Sequence, residues 1–145
     1  MQLTMSGEYA LRAMLHICSE PFGTTFRISD IAQKNDVPEN FLRKIVQQLI
    51  RADMLKSTQG HGGGIGLKTE AENITPLDII EIVEGKIGLN KCMIHEGFCS
   101  RDNFCSIHVI WEQAQSQLRE QLHSKNMKEL AAQNAENLLH VQRNI

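Results

Sequence analysis

The feature that most restricts this chain is a short run of apolar residues with a turn inside it. Ile31 and Ala32 precede the turn, Val37 follows it, and Leu42 and Ile45 lie beyond. Two inward residues on one helix, one after a tight turn and two on the next helix is the spacing of a helix-turn-helix. Small Ala32 lets the two helices cross closely, and Asp36 takes the turn position where glycine is commonest, because Asp tolerates left-handed backbone. An ordinary helical hairpin would meet the same pattern, so the residues that follow decide. Met54–Thr58 reads as a strand, the glycine-rich Gly60–Gly64 as a turn and Ile65–Lys68 as the returning strand. A helix-turn-helix followed by such a hairpin is a winged helix, a fold that lays its second helix in the major groove of DNA.

The remaining elements are helical. Ala10, Ala13, Met14 and Ile17 recur at helical spacing within Leu3–Glu20, widened by Leu11, Leu15 and Cys18, and Pro21 and Gly23 stop that helix. Cys18 is expected there as a small core residue. Ser29 is expected to cap a short helix over Asp30–Asn35, and a third helix runs from Pro38 to Ala52 with Phe41, Leu42, Ile45, Val46, Leu49 and Ile50 as its apolar positions. Thr75, Pro76 and Asp78 open a further helix as cap, first residue and capping-box acid, and Gly85 ends it. A long helix from Cys105 to Ser124 carries the narrow apolar seam Ile107, Trp111, Ala114, Leu118 and Leu122, which suits a partner helix in a two-fold dimer. A last helix spans Met127–Leu139 and ends in a polar tail.

The fold class is therefore mainly α: a winged helix-turn-helix with a two-stranded wing and a long C-terminal dimerisation helix. Residues 1–85 form the DNA-binding part. Residues 86–145 hold the cysteine loop, the dimerisation helix and the C-terminal helix, within one compact domain of 145 residues. No basic segment followed by an apolar run opens the chain, and no stretch of eighteen apolar residues occurs, which points to a cytoplasmic protein without membrane spans. Net charge is −2, yet residues 27–68 carry seven basic side chains against four acidic ones. One positive face on an otherwise acidic chain fits contact with phosphate.

Three of the four cysteines fall in the stretch Lys91–Trp111, as Cys92-x6-Cys99-x5-Cys105-x2-His108. Gly97, Ser100, Asp102 and Asn103 make most of that interval a loop, and Cys105 and His108 share one helix face at its end. Three thiolates and an imidazole suit a soft metal or an iron–sulfur cluster, whereas the spacing matches neither zinc-ribbon knuckles nor the ferredoxin run. Buried or disulfide-linked cysteines are the alternative reading of the same residues.

Taken in order, the opening LTMSGEYALRAM, the stretch VPENFLRKIVQQLIRADML, the wing GHGGGIGL, the helix ITPLDIIEIVEG and the three cysteines before a long helix resemble one family. These segments are similar to the small bacterial winged-helix repressors and activators that sense through an iron–sulfur cluster, the group that contains IscR and NsrR. The resemblance implies a homodimer with Cys92, Cys99 and Cys105 of each chain on a 2Fe–2S or 4Fe–4S cluster. Its fourth ligand would be His108, as in the IscR-like pattern, or Glu8 of the partner subunit, as in the NsrR-like one. This chain departs from the pattern by one extra residue between Cys92 and Cys99, by Asp53 in place of a usual glycine, and by the loss of an arginine before the wing glycines.

The expected function is a DNA-binding transcriptional regulator, a repressor, that responds to nitric oxide, oxygen or iron–sulfur status through loss or modification of its cluster. Base selection is expected from Glu39, Asn40, Arg43 and Lys44 at the start of the third helix, with Arg43 suited to guanine and Asn40 to adenine. Ser29, Pro38, Gln59, His61, Gly62 and Gly63 complete the expected contact surface with double-stranded DNA. Two copies a helical turn apart imply a palindromic operator. A thiol- or zinc-dependent regulator on the same fold, with Cys92, Cys99, Cys105 and His108 as ligands, is the rival reading. An enzyme or electron carrier finds no support in a nucleophile–base pair, phosphate loop or cofactor fingerprint.

Overall fold

In the computed structural model, which describes residues 3–145, the helix-turn-helix is formed by α2 (Ile28–Lys34) and α3 (Glu39–Arg51). Ile31, Ala32, Val37, Leu42 and Ile45 are all at most 5 % exposed, so the inward pattern of the sequence is the packing of the structure. Asp36 adopts the left-handed backbone that the tight turn requires, with φ +53°. Behind α2 and α3 lies α1 (Met5–Cys18), which packs against both and against two later helices. Cys18 joins the core as expected; burial pushes its thiol up to about 12.

The wing is the antiparallel pair β1 (Leu55–Thr58) and β2 (Gly64–Leu67), with Leu55 opposite Leu67 and Thr58 opposite Gly64. Phe26 and Ile65 exchange backbone hydrogen bonds of 2.8 and 2.9 Å, which stitch the returning strand to the connection between α1 and α2. Asp53, at the start of the wing, has φ +59°, a left-handed backbone that glycine adopts without strain.

A 3-10 turn at Ala71–Asn73 leads to α4 (Pro76–Glu84). The capping box expected at its start is present: Thr75 Oγ1 accepts from Asp78 N at 3.3 Å, and the Asp78 carboxylate accepts from Thr75 N at 2.8 Å. A short α5 (Lys91–Ile94) then precedes α6 (Ser106–His123) and α7 (Met127–Arg143). A second capping box, from Asn126 and Glu129, opens α7. Its first two turns return to the main core through buried Met127 and Ala131, and Met127 N donates to Ile74 O at 2.8 Å.

Five local expectations change. Ser29 is not a cap: α2 starts at Ile28 with Arg27 in the cap position, because Ile28 packs on the core and draws the helix start toward it. The first helix stops at Cys18, where Ser19 turns its amide and hydroxyl back onto His16 O. The cysteine interval contains a helical turn, and α7 continues past Leu139 to Arg143. Phe41 is not inward. It stands 48 % exposed, edge-on to Tyr9 with ring centroids 6.1 Å apart.

The seam on α6 is divided. Leu118 and Leu122 are partly buried against Leu77, Ile80 and Ile87, so that end of the helix packs on its own chain. Toward the other end Ile107, Val109 and Ile110 are 51 to 59 % exposed, and Trp111 and Ala114 are half-buried.

Candidate nucleic-acid interface and metal centre

The outward face of α3 carries the residues expected to select bases. Asn40, Arg43 and Lys44 are exposed, Glu39 is half-buried, and Pro38 is exposed at the cap position. The Arg43 guanidinium donates to the Glu39 carboxylate one helical turn back, at 3.1 Å from Nε and more closely from its terminal nitrogen. The fork that would grip a guanine edge is thus held by a neighbouring acid. Ser29 is exposed on α2.

At the wing tip Gln59, His61 and Gly62 are exposed. Gly63 is half-buried, and a Cβ there would sit 2.2 Å from Thr58 O, so the hairpin closes only on glycine. Thr25 Oγ1 donates to Gly62 O at 3.0 Å, which ties the tip back to the domain. Since β1 also packs on α3, the outward helix face and the wing belong to one packed unit.

The cysteine region is built differently. Cys92 lies on α5, whose start is capped by Asn90 Oδ1 accepting from Lys91 N at 2.8 Å. Cys105 holds the cap position of α6, and His108 N donates to its carbonyl at 3.0 Å. Cys92, Cys99 and Cys105 are half-buried and stand as free thiols. Within the chain, Cys92 and His108 come together, and the third member of their group is Asp102 rather than another cysteine. Donor atoms of Cys92, Asp102 and His108 lie within 4.8 Å of one another; Cys99 and Cys105 stand outside this group. An open cleft of about 510 Å³ adjoins it, lined also by Lys86, Glu112 and Arg119.

In the sequence Asp102 stands only as one of the residues that make this interval a loop, not as a donor. The one available signal was a carboxylate lying between two spaced cysteines. Glu8, the other candidate ligand, pairs within its own chain with Arg12 one turn along α1 and is about half exposed.

Around the site, hydrogen bonds run from the residues just before α5 toward α3 and the start of α1. Gln115 Oε1 on α6 accepts from Leu89 N at 3.0 Å. Arg119, one turn further, forms a two-pronged ion pair with Glu81 on α4. The Arg119 guanidinium holds the Glu81 carboxyl below its ordinary value. Glu84, at the end of α4, accepts from Thr4 N, Thr4 Oγ1 and Gly7 N at 2.6 to 3.0 Å and so caps the start of α1 from 80 residues away. On α3, Gln48 Nε2 donates to Val83 O at 3.3 Å.

A sequence profile of the Rrf2 family, described as iron-dependent transcriptional regulators, matches residues 3–133. The chain belongs to the Rrf2 family. Among relatives, the HTH-type transcriptional regulator IscR of Vibrio parahaemolyticus is 27 % identical over 92 % of this chain and 79 % of its own length. A putative HTH-type regulator of Haemophilus influenzae is 29 % identical over 90 % of this chain and 86 % of its own. Of solved structures, CymR, titled the global cysteine regulator of B. subtilis, superposes with TM-score 0.75 at 26 % identity, covering 91 % of this chain and 97 % of that one. T. potens IscR superposes with TM-score 0.77 at 23 % identity, covering 94 % and 90 %, a likeness of fold. This Rrf2 chain is accordingly a DNA-binding transcriptional regulator with a winged-helix fold, in a family of regulators rather than enzymes. Among the described residues no helix is long and apolar enough to cross a membrane.

Proposed function

We propose that this Rrf2 protein is a cytoplasmic homodimeric repressor whose affinity for a palindromic operator is set by an iron–sulfur cluster. Cys92, Cys99, Cys105 and His108 would hold the cluster, with Glu8 of the partner subunit as the alternative fourth ligand. The observation that carries the reading is His108. Its Nδ1 is buried with no hydrogen-bond partner, its ring groups with Cys92, and the same loop presents two further free thiols. Three thiols and an imidazole are the right donor set for such a group. When bound, a cluster supplies a centre open to attack by nitric oxide or oxygen, tuned by its ligands and solvent access.

The chain's own residues transmit the state of the loop. A displacement at Leu89 pulls on Gln115 and hence on α6; Arg119 passes it to Glu81 on α4; Val83 and Glu84 pass it to Gln48 of α3 and the start of α1. Signal and DNA are coupled if they favour different arrangements of these helices. On the operator, Arg43 would exchange Glu39 for a guanine edge, while Lys44 and the wing place the domain on the phosphates.

The test is anaerobic purification followed by absorbance, iron, sulfide and zinc analysis. A brown protein with equal iron and sulfide supports the cluster, and a colourless protein carrying zinc alone overturns it. For the DNA side, Arg43→Ala is expected to weaken operator binding by about 1–3 kcal/mol and relax preference at one base pair, measured by titration against single-base operator variants. A second reading, a thiol-dependent regulator, rests on the free state of all four cysteines and on the B. subtilis neighbour's title as a cysteine regulator. Oxidant-dependent DNA binding by a metal-free protein would favour it.

A further inference from the structure

We propose that the chain, when it holds no cluster, carries a mononuclear site for a divalent cation of the zinc class, built from Cys92 Sγ, an Asp102 carboxylate oxygen and His108 Nδ1. This goes beyond the cluster reading and does not depend on it. One donor atom from each of Cys92, Asp102 and His108 already lies within 4.8 Å of the other two. The edge between Asp102 Oδ1 and His108 Nδ1 is 3.6 Å. Ligands at ordinary zinc distances in a tetrahedron stand about 3.3 to 3.6 Å apart, so this edge is nearly a coordination edge.

The imidazole explains why that edge is not simply a hydrogen bond. At 3.6 Å Nδ1 is too far to donate, and it is fully buried with no other partner, which a folded chain seldom tolerates. On the far side of the ring, Nε2 faces Glu112 Oε1 at 3.4 Å, one helical turn along α6. A carboxylate beside Nε2 favours the tautomer with its proton there, which leaves an unshared Nδ1 lone pair 3.6 Å from an Asp102 oxygen. A lone pair facing a carboxylate oxygen repels it, and a cation between them turns that repulsion into attraction. The outer carboxylate, the oriented imidazole and the inner anionic ligands make the arrangement that metal-bound histidines usually show.

The donor set selects the ion. One thiolate, one imidazole and one carboxylate suit zinc, cobalt or ferrous iron, and a sulfur ligand disfavours magnesium and calcium. A thiolate and a carboxylate neutralise a divalent charge, and the adjoining cleft leaves a fourth position for water. Asp102 is placed for this by the turn in which its amide donates to Cys99 O at 3.2 Å. Because Cys92 and His108 belong to both sites, cation and cluster exclude each other on one chain.

Cobalt(II) is the probe. Full-length, reduced, metal-free protein titrated anaerobically with cobalt is expected to show one equivalent bound, with visible bands of a tetrahedral ion and a near-ultraviolet thiolate band. Cys99→Ala should give the same spectrum and affinity. Asp102→Ala and Asp102→Asn should each bind at least about tenfold more weakly, and Glu112→Gln should bind about tenfold more weakly with its thiolate band retained. Wild-type affinity and spectrum in both Asp102 variants, or a thiolate band that disappears with Cys99→Ala, would overturn the site. Iron and sulfide uptake by Cys99→Ala reads the cluster ligands separately: uptake at the wild-type level would contradict the cluster assignment and leave the cobalt result standing.

Discussion

In the helix-turn-helix, Ile31, Ala32, Leu42, Ile45, Val46 and Leu49 are at most 4 % exposed, whereas α6, longer than α2 or α3, buries none of its residues. The first region fills its interior from its own sequence, and its outward face is held by the fold beneath it. The second is unfinished within one chain. Its cysteines are half-buried, its His108 Nδ1 is unsatisfied, and Ile107, Val109 and Ile110 face outward. A reader of DNA needs fixed geometry; a sensor needs a region whose arrangement depends on what is bound. The contrast in burial is the one that the proposed function, with DNA reading and sensing in separate regions, calls for.

The sharpest way to break this comparison is to remove one apolar side chain from each region. Leu42→Ala, at a position with no exposure, should cost about 2–5 kcal/mol in urea unfolding. Ile110→Ala, at 59 % exposure, should change the unfolding of the isolated chain by less than about 0.5 kcal/mol. It should instead weaken self-association, read by sedimentation across a dilution series. Equal destabilisation by the two changes would mean that α6 is packed as tightly as α3.

A smaller effect tests the joint between the regions. A Cβ at Gly7 would lie 2.2 Å from Glu84 Oε1, so Gly7→Ala must push away the carboxylate that caps α1. Within a helix the same change ordinarily stabilises, by about 1 kcal/mol. Here it should destabilise by about 1–3 kcal/mol in thermal or urea unfolding. A stabilised protein would mean that Glu84 does not hold the start of α1.

The two regions also differ in how much their sequences disclose. The helix-turn-helix was legible because its inward residues fall within fifteen positions and obey helical spacing; the capping box of α4 and the wing were legible for the same local reason. Glu84 was not, since it meets Thr4 and Gly7 across 77 to 80 residues and no period encodes that meeting. Asp102 was not, because its joining Cys92 and His108 depends on how two loop turns fold over the start of α6. The seam of α6 was legible as an apolar stripe but not its owner. Leu118 and Leu122 turn to α4 of the same chain, and only packing decides such a choice.

The Glu81–Arg119 pair sharpens the comparison further, because it is the polar tie from α6 back to α4. Glu81→Gln should lower stability by about 1 kcal/mol near neutral pH. The folded carboxyl titrates below its ordinary value, so the pair contributes fully above the ordinary carboxylate range. That contribution is lost as pH falls through the lowered value. The stability gap between wild type and Glu81→Gln should therefore stay constant from neutral pH to mild acid and close in stronger acid, as followed by urea unfolding at a series of pH values.

The smallest expected effect concerns Ser29. As a helix cap it would contribute about 1 kcal/mol, and its replacement by alanine would cost most of that. The structure instead puts Ser29 inside α2, exposed, with Arg27 in the cap position and Arg27 O accepting from Asp30 N and Ile31 N at 3.1 and 3.2 Å. Alanine is at least as good a helix former, so Ser29→Ala should leave the unfolding midpoint within about 0.5 kcal/mol of wild type. If the hydroxyl meets a DNA phosphate, operator affinity should fall by about 0.5–1.5 kcal/mol with no loss of base preference. Measuring both quantities on one variant separates the two roles. Stability lost with affinity kept would move the start of α2 to residue 29, and affinity lost with stability kept would place α2 against the DNA backbone.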